Sequence, residues 1–251
     1  MLNSSQSQKT NWKAVICYSL LAAGFSSIFR IYTPVWLDDL KLPYGYGLNL
    51  LVGFGPLLGA EMSRLLFKQS KDRLPLYGNS LVKSIIFMLI PTAVLVIFGI
   101  KSKGQLNEHW FALQVSLLWL IYIFGEESGW RGYLQQILKV KDLWKAMIIG
   151  SVWYIWHFAF FFEKTNFIQE LIFLIVLLIG SFIVIKVNKR TFSLMTSIGL
   201  HFSFSVMTNI PSSAFYKYGI IAMLIVWAII LWIWPKNAEF QENNKPEGSE
   251  Y

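Results

Sequence analysis

The chain has 251 residues, of which 55% are hydrophobic, 17% aromatic and only 14% charged, with a mean hydropathy of +0.49. Soluble domains carry about 25% charged residues, so this composition excludes an ordinary soluble enzyme and indicates a membrane protein. The formal net charge is +8, and the single cysteine, Cys17, excludes an intramolecular disulfide framework and reads as a small buried hydrophobe.

Spanning a bilayer takes about 20 mainly apolar residues. Eight segments meet that requirement: 13–36, 44–67, 83–100, 109–128, 145–162, 167–186, 192–210 and 217–235. They are expected to be helices, because lipid offers the backbone no external hydrogen-bond partner. Their continuous apolar runs and short loops do not fit a β-barrel. The expected fold is all-α: a polytopic membrane protein of about eight transmembrane helices enclosing a polar chamber. It fills residues 13–235, with an N-terminal segment over 1–12 and a disordered tail over 236–251. The first apolar segment follows about a dozen polar residues without a small-residue cleavage site, as an uncleaved helix would.

Eight spans place both termini on one side of the membrane. Loops on that side hold Lys9, Lys13, Lys68, Lys71, Arg73, Lys83, Lys139, Lys141, Lys145, Lys186, Lys189, Arg190, Lys236 and Lys245, whereas the other side holds Lys41, Lys101, Lys103, Lys164 and Lys217. That asymmetry predicts cytoplasmic termini, and it explains the positive charge as orientation beside anionic lipid rather than nucleic-acid binding.

The polar residues left inside the spans are few. The four aspartates, Asp38, Asp39, Asp72 and Asp142, fall in expected loops, so a carboxylate pair of the aspartyl-protease kind is not available. Neither HExxH nor GxSxG occurs, which removes weight from helical zinc and serine mechanisms. Glu61 and Arg64, spaced i, i+3, are expected to neutralise each other. Arg30 and Glu170 carry no usable signal, and His109, beside Glu108, is expected at the outer interface.

The remaining residues converge on one stretch, "FGEESGWRGYLQQIL", residues 124–138. Glu127 and Arg131 are spaced i, i+4 with the acid first, the favoured order for a helical ion pair. Glu126 is rotated about 100° away and is expected to face another surface, free for chemistry. A rise of 1.5 Å per residue puts His157 about 18 Å from the cytoplasmic end of its segment and His201 about 16 Å. Glu126 lies about 25 Å down a helix that enters from the other side. Within a core about 30 Å thick, three helices can bring a carboxylate and two imidazoles into one layer. The chamber they form is expected to open toward the cytoplasm.

These residues resemble the CAAX protease and bacteriocin-processing family, the Abi group of intramembrane proteases. Its EExxxR motif is Glu126-Glu127-Ser128-Gly129-Trp130-Arg131. Its second motif, an aromatic residue four positions before a histidine, is Trp153 to His157, with Trp where Phe is commoner. Its third, HxxxN or HxxxD, begins at His201, where the fourth following residue is Ser205 and Asn209 lies one turn further on. The resemblance covers roughly residues 80–210.

It implies hydrolysis of a peptide bond within the membrane, on a membrane-associated peptide or protein. Glu126, helped by His157, would activate water, and His201 with Ser205 or Asn209 would face the developing oxyanion. Glu127 and Arg131 would orient the site. Glu126, His157 and His201 could equally be three ligands of a catalytic zinc or act without metal. Some family members resemble adaptors or bacteriocin-immunity proteins, so a non-catalytic partner of membrane proteins is the alternative. A proton-relay transporter is a third class, but repeated halves are missing. The composition fits a multi-pass protein of a bacterial plasma membrane.

Overall fold

A computed structural model describes residues 9–32, 50–68, 73–101, 107–158, 166–209 and 214–234. Among them there is no strand, and eight long helices follow in order: α1 (Trp12–Tyr32), α2 (Phe54–Phe67), α3 (Leu81–Phe98), α4 (Glu108–Gly129), α5 (Asp142–Phe158), α6 (Phe167–Thr191), α7 (Leu194–Asn209) and α8 (Ala214–Trp232). The chain is an all-α polytopic membrane protein. By length and apolarity Trp12–Ile31, Leu50–Phe67, α3 and α6 can each cross a membrane unaided. Helices α7 and α8 are shorter apolar helices, α4 carries Glu108, Glu126 and Glu127, and α5 stops at 17 residues.

The helix ends follow local chemistry. Asn107 caps α4 by accepting hydrogen bonds from the backbone N–H groups of His109 and Trp110, both at 3.1 Å. Asn166 caps α6 through the N–H of Ile168 at 2.9 Å. Asp142, expected in a loop, is instead the first residue of α5, where an acid suits the positive helix end. Its carboxylate bridges Lys186 at 2.8 Å and Lys189 at 2.6 Å, tying the start of α5 to the end of α6. Asp38, Asp39 and Asp72, like the tail over 236–251, lie outside the described residues.

Helix α4 lies at the seam between two apolar clusters. Its Val115, Trp119 and Ile123 belong to one, built with α3, α6, α7 and α8, in which Phe87 stacks on Trp227 at 4.8 Å. The turns that continue α4 give Trp130, Tyr133 and Leu134 to the other, built with α1, α2, α5 and α6. Glu126 and Glu127 of α4 therefore stand where both clusters meet.

Small residues let α2 approach that seam. Gly125 and Gly129 flank the glutamates with the four-residue spacing that brings membrane helices close. A Cβ at Gly125 would lie 2.5 Å from the Gly53 carbonyl oxygen, and one at Gly129 would lie 2.5 Å from Pro56 Cβ. Gly129→Val is expected to lower stability by about 1–3 kcal/mol through overpacking, measured by thermal unfolding in detergent. Gly132→Ala is the control, since its Cβ would meet only the Glu127 carbonyl oxygen at 3.9 Å.

Candidate functional site

The site begins where α4 changes pitch. Trp130–Leu134 form one π-helical turn before Gln135–Ile137 return to α geometry. Such a turn inserts a residue into the helix and is frequent at functional sites. It begins three residues after Glu127, so Glu126 and Glu127 keep α register with each other while the residues after the turn are moved onto new faces. The five residues of the turn are all buried.

The two acids have different surroundings. Glu127 is 0% exposed, and Arg131, also 0% exposed, brings Nε to 3.4 Å from its Oε2. Its Oε1 accepts from Nδ1 of His201 at 3.0 Å. Glu126 turns to a different side. Its Oε2 accepts from the indole N–H of Trp153 at 3.0 Å and of Trp130 at 3.3 Å, and the Tyr122 side chain is hydrogen-bonded to it as well.

Each histidine has one ring nitrogen assigned by its partner. Nδ1 of His157 lies 2.9 Å from the carbonyl oxygen of Trp153, which only accepts, so Nδ1 carries the proton and Nε2 the lone pair. Nδ1 of His201 donates to Glu127, which orients that ring in the same way. Ser205 donates to the His201 carbonyl at 3.3 Å. Asn209 is in the last turn of α7, and its side chain lies outside those described.

Glu126, Arg131, His157, His201 and Ser205 line one cavity of about 620 Å³. Glu127 is not among the lining residues and is bonded to His201 behind them. The cavity also takes in Leu118, Ile172, Phe173 and Val176, a largely apolar wall, and it extends to Arg30 and Gln169, both exposed. Those two residues sit at the ends of α1 and α6 remote from Lys13, Lys186 and Lys189. The lining thus extends away from the lysine-rich side, toward which the chamber was expected to open. On that side the buried π turn, Leu138 and the polar contact of Gln135 with Asn188 fill the space.

Sequence reasoning missed the residues that hold Glu126. Tyr122 and Trp130 are its i−4 and i+4 neighbours, so helical spacing was a usable signal. Trp153 needed the tertiary structure. Besides its bond to Glu126, it lends its carbonyl to His157, meets the His201 ring edge-on at 4.7 Å and lies 5.2 Å beneath the Arg131 guanidinium. A Phe in that place could stack but could not donate to Glu126. Glu170 and His109 have structural partners: Tyr154 donates to Glu170 at 2.8 Å, and His109 Nδ1 donates to the Val96 carbonyl at 2.7 Å.

Residues 108–207 match the family model described as type II CAAX prenyl endopeptidase Rce1-like. The Rce1-like segment runs from the first residue of α4 to two residues before the end of α7, and it agrees with the family read from the motifs. Every lining residue with candidate chemistry, from Glu126 to Ser205, falls inside it, and Asn209 lies just beyond. No curated protein and no solved structure matches the chain.

Among the described residues no three histidine, cysteine, aspartate or glutamate side chains are grouped so as to hold a metal ion. Glu126, His157 and His201 share a cavity, but two indoles and a phenol already bind Glu126. As arranged, the trio does not fit a zinc site, and no reaction step is assigned to one.

Proposed function

We propose that this protein is an intramembrane endopeptidase of the CAAX type. The observation that carries the proposal is the pairing of Glu126, 1% exposed inside a membrane helix, with two imidazoles on the wall of the same cavity. Water held between Glu126 and Nε2 of His157 gives its proton to Glu126 as its oxygen attacks the scissile carbonyl carbon. The carbonyl π electrons move to oxygen, and the oxyanion forms beside His201, whose ring Glu127 holds at Nδ1. When the C–N bond breaks, the proton on Glu126 passes to the leaving amine. A new carboxyl end and a new amino end result, and the base is restored.

The apolar wall suits a membrane-borne substrate. Ile172 is 55% and Val176 40% exposed on the outside of α6, although both also line the cavity, so a lipid-anchored segment can reach the site sideways from the bilayer. The decisive experiment is hydrolysis of quenched fluorescent peptides, lipidated and unlipidated, by purified protein beside Glu126→Gln.

With the termini cytoplasmic, as the lysine asymmetry favours, the Arg30–Gln169 mouth faces the opposite side. An impermeant peptide is then expected to be cut when added outside right-side-out vesicles and spared when added outside inverted ones. The reverse result would place the lysine-rich loops outside.

A second reading, a non-catalytic adaptor of the same fold, draws on Ser205. Its hydroxyl donates within its own helix where the motif ordinarily has an Asn or Asp. An adaptor keeps its cellular phenotype in Glu126→Gln, and a protease loses it.

A further inference from the structure

Arg64 is a buried charge to which the proposed reaction assigns no step. It is 8% exposed on α2, and its carboxylate neighbour Glu61 is only a loose partner at 3.5 Å. Glu61 makes its short contact elsewhere, with Arg73 at 2.6 Å. The short bond from Arg64 runs across the helix interface, from Nη2 to the carbonyl oxygen of Gly132 at 2.7 Å. Gly132 is the middle residue of the π turn.

That turn needs outside donors. Widening a helix by one residue disturbs the usual pairing of its carbonyls, and a buried carbonyl left unpaired in a membrane is costly. Two successive carbonyls here receive side-chain donors: Arg131 O takes Gln136 Nε2 at 3.0 Å, and Gly132 O takes Arg64 Nη2. The same guanidinium lies 4.9 Å over the Tyr133 ring. Tyr133 packs at 5.1 Å on Tyr18, which meets Trp130 edge-on at 5.6 Å. Trp130 holds Glu126. The chain of contacts from Arg64 therefore ends on the proposed base.

We propose that Arg64 is a positioning residue: by binding the Gly132 carbonyl it holds the π turn that sets Trp130 against Glu126 and Arg131 against Glu127. The role rests on the protease reading only for its effect on turnover. The link between Arg64 and the π turn stands apart from it, and the test separates the two.

Arg64→Lys, Arg64→Met and, as a control, Arg73→Ala are purified and checked for a wild-type elution profile. Hydrogen exchange is followed over residues 130–138, with α6 as internal reference. In Arg64→Met, exchange at 130–138 is expected to rise about tenfold while α6 is unchanged, the signature of local opening. Arg64→Lys keeps the charge and a donor nitrogen without the planar fork and should lie between Met and wild type, whereas Arg73→Ala should match wild type. Unchanged exchange at 130–138 in Arg64→Met would overturn the proposal, and so would an equal rise in α6, which would mark general destabilisation.

On a peptide that wild type cleaves, kcat of Arg64→Met should fall about 10- to 100-fold with KM within about twofold, because the lesion misplaces the base without touching substrate. Added methylguanidinium should restore part of that kcat. Full kcat in Arg64→Met would overturn the positioning role even if exchange had risen. If wild type cuts nothing, the protease reading fails, and the exchange data still decide whether Arg64 holds the turn.

Discussion

Glu126→Gln should lower turnover by about 10²–10⁴-fold and leave the fold intact. The side chain keeps its shape, and its remaining carbonyl oxygen can still accept from the Trp130 and Trp153 indoles. What disappears is the group that takes a proton from water. Glu126→Ala is a poorer test, because it strands two buried indole N–H groups at about 1–3 kcal/mol each and so mixes chemistry with stability. The measurement is kcat and KM on a fluorescent peptide, with thermal unfolding and gel filtration on the same samples. Cleavage by Glu126→Gln at a tenth of the wild-type rate or more would remove Glu126 from the role of base.

Glu127→Ala is expected to be more destabilising than Gly129→Val. Arg131 is 0% exposed and has the carboxylate of Glu127 as its ion-pair partner, and the same carboxylate orients His201. Removing one member of a buried pair leaves an uncompensated charge, which costs about 3–5 kcal/mol. Removing both is milder. Glu127→Gln with Arg131→Met deletes the two charges together and should recover most of the melting temperature lost in Glu127→Ala. Activity should not return with it, because His201 loses the carboxylate that holds its Nδ1 and orients its ring. A melting temperature for Glu127→Ala within a degree of wild type would mean that the pair contributes no net stability.

The ion pair and the separate facing of Glu126 were legible because they depend on helical rotation alone, a property of spacing along one element. The helices lie close to the expected segments because apolar length is likewise a property of one element, and the first part of the 44–67 segment, 44–49, lies outside the described residues. Asp142 was misplaced by only a few residues, as helix ends commonly are. The Glu61–Arg64 pair shows where spacing fails. It exists at 3.5 Å, yet the shorter bond of Arg64 crosses to a residue 68 positions away. Nothing within α2 could reveal that acceptor, since it becomes available through the π turn of another helix. Trp153 was visible as half of a motif, but its work as a donor to Glu126 depends on where α5 crosses α4.

The sequence by itself determined the all-α membrane class, the approximate helices, the residues able to carry chemistry and the family that residues 108–207 match. These follow from composition, apolar length and the spacing of charges, all local quantities. The tertiary structure decided which end of the bundle the cavity reaches, which donors surround Glu126, and that His201 is coupled to Glu127 rather than left to itself. Those outcomes are set by packing between helices distant in the chain, where Gly125 and Gly129 allow close approach and one π turn rotates every later side chain of the segment. No pattern along a single helix contains that information.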